Sequence, residues 1–255
     1  MNPHPARRAA AEFLGTGLLV TLVVGSGIMA QGLSPSDIGL ELLENSTATA
    51  LGLTVLILIF APVSGAHFNP VVTLADYLLS RRAPGGLGPR EAALYIPAQI
   101  AGGIGGTVLA NLMFALPAAT ASTHDRSAGH LWLGEIVATA GLILLIFALG
   151  RTGRGHYGPA AVGAYIGAAY WFTSSTSFAN PAVTIARAFT NTFAGIKPSS
   201  VPGFILAQLA GAAIGIALIA LLYPADPAPA PVDVDTDPAT ASIELAQATS
   251  NGSAP

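Results

Sequence analysis

Two Asn-Pro steps in matched surroundings carry most of the chemistry that this chain of 255 residues offers. The first lies in Ser64-Gly65-Ala66-His67-Phe68-Asn69-Pro70-Val71-Val72-Thr73-Leu74-Ala75. The second lies in Ser175-Thr176-Ser177-Phe178-Ala179-Asn180-Pro181-Ala182-Val183-Thr184-Ile185-Ala186. A third, Asn2-Pro3, matches nothing around it. Asn is a favoured N-cap, and Pro suits the first helical position, where its missing N–H is not needed. Each matched step therefore predicts a helix start. Its Asn oxygen would accept a first-turn N–H and leave the amide NH2 as a donor. A helix N-terminus also carries about +0.5 of a charge. Two such starts meeting inside a membrane would offer donors to a neutral solute and repel cations and protons.

Two carboxylates, Glu12 and Glu135, fall inside apolar runs, where a charge is costly. They read either as proton-relay acids of a coupled transporter or as acceptors for backbone N–H groups of the loops before the two helix starts. His67 reads as a vestibule residue or as a pin for its loop. There is no cysteine, and no nucleophile–base pair or metal-ligand cluster stands out. An enzyme, a cofactor and a metal site are not expected.

The elements that must position these groups are membrane helices. Apolar residues make up 52% of the chain and charged ones 9%, against about 25% charged in soluble domains. Mean hydropathy is +0.63. Runs long enough to cross the roughly 30 Å apolar core of a bilayer occur at about 9–31, 40–62, 91–116, 131–150, 158–174 and 201–223. Two shorter runs, Asn69 to Leu79 and Asn180 to Phe193, suit half-helices. The expected fold is an all-α membrane protein of six transmembrane helices and two re-entrant half-helices. With the N-terminus inside, Arg7, Arg8, Arg81, Arg82, Arg90, Arg151 and Arg154 fall on the inner side, and Arg126, Arg187 and Lys197 on the outer. That bias predicts a multi-pass protein of the plasma membrane with both termini cytoplasmic. The reading divides the chain into a cytoplasmic N-terminus (1–8), a channel domain (9–223) and a disordered cytoplasmic tail (224–255). The tail is rich in Pro, Ala, Asp and Thr and holds five of the 13 acidic residues, which accounts for the net charge of −3. No basic stripe suggests nucleic acid.

The two halves, about 9–117 and 131–223, correspond beyond the Asn-Pro steps. Glu12-Phe13-Leu14-Gly15-Thr16 matches Glu135-Ile136-Val137-Ala138-Thr139, and Ala98-Gln99 matches Ala207-Gln208. Three spans per half is an odd number, so the second half enters from the opposite face and the repeat is inverted. Runs such as Gly102-Gly103-Ile104-Gly105-Gly106 and Gly211-Ala212-Ala213 suit close helix crossings. On these residues the chain resembles the aquaporin and aquaglyceroporin (major intrinsic protein) family over residues 8 to 223.

The resemblance implies that Asn69, Pro70, Val71 and Asn180, Pro181, Ala182 meet at the pore centre and that Glu12 and Glu135 are structural. It implies a homotetramer with a pore in each subunit. It also implies a selectivity ring on the outer side, which ungapped counting from the two Asn residues places at Thr49, Ala168, Ser177 and Val183. A loop differing by two residues would put Tyr170 or Trp171 in place of Ala168. The family usually has Arg where this chain has Val183 and an aromatic residue where it has Thr49. Val71 likewise departs from the usual Ala. Arg187, one helical turn past Val183, reads either as a charge at the outer mouth or as an interfacial Arg reaching headgroups. A ring without Arg suits passive passage of small uncharged solutes: glycerol-like polyols, urea, and metalloid hydroxides such as arsenite. More weakly, residues 180 to 196 are similar to a bacterial subgroup associated with arsenic resistance, which adds methylated arsenicals. The alternatives are a water-selective pore and a proton-coupled transporter.

Overall fold

The computed structural model describes residues 4–80 and 86–224. Arg81, Arg82, Asn2-Pro3 and the tail beyond Pro224 lie outside the described residues. The helices are α1 (Pro5–Leu33), α2 (Ile38–Ser64), α3 (Pro70–Ser80), α4 (Pro89–Met113), α5 (Gly129–Arg151), α6 (Gly158–Phe172), α7 (Pro181–Ala186) and α8 (Val201–Leu222). No strand occurs among the described residues. Six of these helices are membrane helices, and α3 and α7 are the half-helices of an inverted repeat.

Five helices are long and apolar enough to cross a bilayer. The sixth, α6, has 15 residues, about 22 Å at 1.5 Å per residue, and follows a 3-10 turn over Gly155–Tyr157. It stops two residues short of the expected 174. Thr173 turns extended there, and its hydroxyl donates to the Ala169 carbonyl at 2.7 Å. The second half-helix is also shorter than expected, six residues in place of a run to Phe193. Beyond it a 3-10 turn covers Arg187–Phe189. The carbonyls of Arg187, Ala188 and Phe189 accept from the backbone of Ile196, Ser122 and Thr120, so they are not free to continue a helix.

Within the first repeat α1 packs on α2 and α4; in the second α5 packs on α6 and α8. The glycines explain the close crossings. A Cβ at Gly102 would meet the Phe13 carbonyl oxygen at 2.1 Å, and one at Gly106 the Gly17 oxygen at 2.1 Å. In the second repeat, Gly211 and Gly215 would meet the Ile136 and Ala140 oxygens at 2.5 and 2.8 Å. Two glycines four residues apart on α4 and on α8 thus let α1 and α5 approach backbone to backbone. The half-helices cross over: α3 packs on α8, and α7 on α4. Outward-facing leucines such as Leu51, Leu133, Leu206 and Leu221 stay exposed, as suits a lipid-facing surface. Arg8 pairs with Glu91, tying the first turn of α1 to that of α4.

Candidate functional site

The site is built on two strained loops. Gly65 ends α2 in the left-handed region (φ 92°). Beyond it Ala66 and Phe68 also take positive φ (53° and 51°), as do Ser177 and Ala179 in the second loop (48° and 47°). Such a backbone costs about 1–2 kcal/mol per non-glycine residue, so each loop needs an anchor. The two buried carboxylates supply it. Glu12 accepts from the His67 N–H (3.0 Å), the Phe68 N–H (2.7 Å) and the Ser64 hydroxyl (2.6 Å). Glu135 accepts from the Phe178 N–H and the Ala179 N–H, both at 2.8 Å. Gln99 and Gln208 each brace the arrangement. Gln99 donates to Glu12 (2.8 Å) and to the Thr73 hydroxyl of α3 (2.9 Å). Gln208 donates to Glu135 (2.6 Å) and to the Thr184 hydroxyl of α7 (2.8 Å).

These loops present the two Asn side chains to each other's repeat. The Asn69 Oδ1 accepts from the Val71 N–H at 3.0 Å. The Asn180 Oδ1 accepts from Ala182 (3.0 Å) and Val183 (3.3 Å). Each amide then gives one hydrogen across the interface: Asn69 to the Ala179 carbonyl (2.7 Å) and Asn180 to the Phe68 carbonyl (2.8 Å). The sequence reading assigned both amide hydrogens to the lumen. Crossing uses one of them and leaves one per Asn. Both Asn residues line a cavity of about 570 Å³. Pro70, Val71, Pro181 and Ala182 are buried beside them, with Val71 wholly enclosed.

Toward one end the cavity is lined by Thr49, Tyr170, Ser177, Val183 and Arg187. Ala168 is not among its lining residues and lies on the exposed face of α6, which corrects the ungapped count. Two residues along a helix turn a side chain by about 200°, so Tyr170 faces the cavity where Ala168 faces away. The tyrosine hydroxyl lies 3.3 Å from the Thr49 hydroxyl. Trp171 points elsewhere, half-exposed and donating to the Ser46 hydroxyl at 3.0 Å. The ring is therefore more filled than Thr49, Ala168, Ser177 and Val183 would make it.

Arg187 is only 3% exposed, which excludes the reading as an interfacial side chain. Its Nε donates to the Ala194 carbonyl, and its guanidinium carbon lies 3.4 Å from the centre of the Phe178 ring. Arg126, from the loop joining the repeats, lies 5.0 Å from the same ring and donates to the carbonyls of Gly195 and Ser175. Burial pulls the Arg126 guanidinium below its ordinary value, with Glu135 opposing. Sequence reasoning gave Arg126 no role beyond charge counting. It sits in a non-periodic loop, and no sequence signal marked it.

At the other end His67 lies against the cavity. Its ring contacts the Asp76 carboxylate (3.5 Å), the Thr73 hydroxyl (3.1 Å) and the edge of Tyr95. Among the described residues no cluster of His, Cys, Asp and Glu could hold a metal.

Comparison with known proteins places the sequence and the fold. Residues 2–177 match the family described as Major intrinsic protein. The chain is 53% identical to aquaglyceroporin AqpS of Rhizobium meliloti (strain 1021) over 87% of its own length and 92% of that protein's. It is 31% identical to the glycerol uptake facilitator protein of Pseudomonas aeruginosa, over 84% and 88% of the two chains. The X-ray structure of the aquaglyceroporin from Plasmodium falciparum superposes with a TM-score of 0.64 at 20% identity, covering 85% of this chain and 96% of that one. A fold of six helices and two half-helices, with crossed Asn side chains along one cavity, joins these matches in one conclusion: the chain belongs to the major intrinsic protein family and is an integral, multi-pass membrane channel for small solutes, not an enzyme.

Proposed function

We propose that this channel passes small uncharged solutes down their gradients: glycerol-like polyols, urea, and metalloid hydroxides such as arsenite or methylated arsenicals, with water accompanying them. The observation that carries the reading is Val183. It lines the cavity beside the hydroxyls of Thr49 and Ser177, where the family usually places Arg. An aliphatic side chain with two hydroxyls opposite suits a solute that has both a carbon or metalloid face and oxygen acceptors. The names of the relatives agree, since both an aquaglyceroporin and a glycerol uptake facilitator are among them. Asn69 and Asn180 then supply one donor each at the centre, and the N-termini of α3 and α7 oppose cations there. Glu12 and Glu135 act as supports. Every oxygen of both already accepts a hydrogen bond, which speaks against a proton-coupled transporter. The protein sits in the plasma membrane as a homotetramer with cytoplasmic termini, and the Arg187 end of the pore faces outward.

Tyr170 favours a second reading, a water-selective pore, because its ring takes space that Ala168 would have left open. Stopped-flow flux of water, glycerol and arsenite in proteoliposomes separates the two. The native channel is expected to pass glycerol and arsenite, and Val183→Arg to block both while sparing water. Water flux alone in the native protein overturns the proposal.

A further inference from the structure

We infer that Arg187 and Ser177, backed by Arg126, form a binding site for a small monovalent oxyanion of carboxylate type at one end of the pore. Two guanidinium groups lie over one ring, Phe178, in a buried setting. The ion pairs among the described residues are Arg8–Glu91 and His67–Asp76, and neither includes Arg126 or Arg187. Glu135, the buried carboxylate of this repeat, is committed to the N–H groups of Phe178 and Ala179 and to Gln208. Buried charges without an ion-pair partner are costly, and Arg187, which faces the pore cavity with Arg126 on the same aromatic ring, favours an incoming anion.

A second observation points to the same ligand. The Ser177 hydroxyl is 3% exposed, lines the cavity with Arg187, and has no hydrogen-bond partner among the described residues. A guanidinium holds a carboxylate through two parallel N–H bonds. Among the described residues only the Nε of Arg187 has an acceptor, the Ala194 carbonyl, so its terminal amino groups can take that role. Tyr170 and Thr49 add hydroxyls to the same ring. Arg187 is buried and meets only the pore cavity and a smaller cavity of about 150 Å³ beside it, so a lipid headgroup is too large and the ligand is a free ion of a few heavy atoms. A neutral solute and such an anion would then compete for one place. In this respect alone the inference rests on the channel reading.

Formate at neutral pH is the probe, with chloride at equal ionic strength and osmolarity as its control. In detergent, formate is expected to raise the Tm of the native full-length chain above that in chloride, since a ligand that binds only the folded state stabilises it. Arg187→Gln and Ser177→Ala are expected to lose that rise. In proteoliposomes, saturating formate is expected to cut native glycerol flux at least about fivefold, and that of the variants less than about twofold, because the charge-assisted bonds are gone. A formate effect of the same size in all three proteins, or none in the native protein, overturns the site. If Arg187→Gln does not fold, Ser177→Ala decides, since its hydroxyl leaves no broken bond behind. Absence of glycerol flux without formate counts against the channel's proposed substrates, and the Tm comparison still reads the anion site.

Discussion

Glu12 and Glu135 hold their loops with nearly the same bonds, whereas the residues after the two Asn-Pro steps share Val, Thr and Ala and little beyond them. In the first repeat α3 runs for 11 residues and carries Asp76 toward His67. In the second, α7 stops after six, and the chain turns Arg187 onto Phe178. The anchoring parts, which are the carboxylate, the paired left-handed residues, the bracing Gln and the hydroxyl of Thr73 or Thr184, repeat almost residue for residue. The cavity ends do not: one is an imidazole beside a carboxylate, the other two guanidinium groups around an aromatic ring. Symmetry is kept where both repeats solve one mechanical problem, holding a strained loop in a bilayer. It lapses where the two mouths meet different solutions.

The sharpest way to break this comparison is at the anchors. Glu12→Ala and Glu135→Ala each strand several buried donors, at about 1–3 kcal/mol apiece, and both are expected to abolish folded, detergent-extractable protein. If one variant alone keeps a native Tm, the two halves are not mechanically equivalent. A smaller effect distinguishes the caps. Asn180 caps two N–H groups and Asn69 one. With a lost cap worth about 1 kcal/mol, both Ala variants should lower the Tm, Asn180→Ala further than Asn69→Ala. Equal losses would mean that the crossed amide bond dominates.

At the asymmetric end, Tyr170→Ala is expected to raise the flux of polyols larger than glycerol several-fold and, because it empties a buried core position, to lower the Tm as well. Ala168→Leu, on the exposed face of the same helix, is expected to change neither quantity. Reversed outcomes would restore the ungapped register. The smallest effect belongs to the opposite mouth. Asp76→Asn removes the partner of His67 and is expected to shift glycerol flux by less than Tyr170→Ala does, because Asp76 stands away from the ring of hydroxyls.

Much of this was legible in the sequence, and for a physical reason. Asn-Pro, a carboxylate in an apolar run and Ala-Gln recur because each half must cap, hang and brace its own loop, so the recurrence marks the scaffold. Helix extents followed the apolar runs closely where lipid sets the length, as in α2 and α8. The misses fall where no period governs. The stretch between Phe172 and Asn180 is irregular, and counting through it turned α6 to the wrong face, onto Ala168. The half-helix was expected to run on to Phe193, yet the carbonyls of Ala188 and Phe189 are claimed by Ser122 and Thr120 from a distant loop. Arg126 reaches Phe178 from that same loop, and nothing local in its sequence announces the contact. The crossing of the Asn amides was hidden as well, because it depends on how the second loop meets the first.

That crossing also sets a timetable for synthesis. The acceptor for the Asn69 amide is the carbonyl of Ala179, 110 residues further along the chain. While the ribosome is still making the second repeat, the Asn69 amide therefore lacks the acceptor that it has in the finished fold. An early-made half has to wait, with a polar group exposed, for the later half to close over it. A nascent chain halted before Ala179 is then an incomplete object in a chemical sense, and not merely a short one.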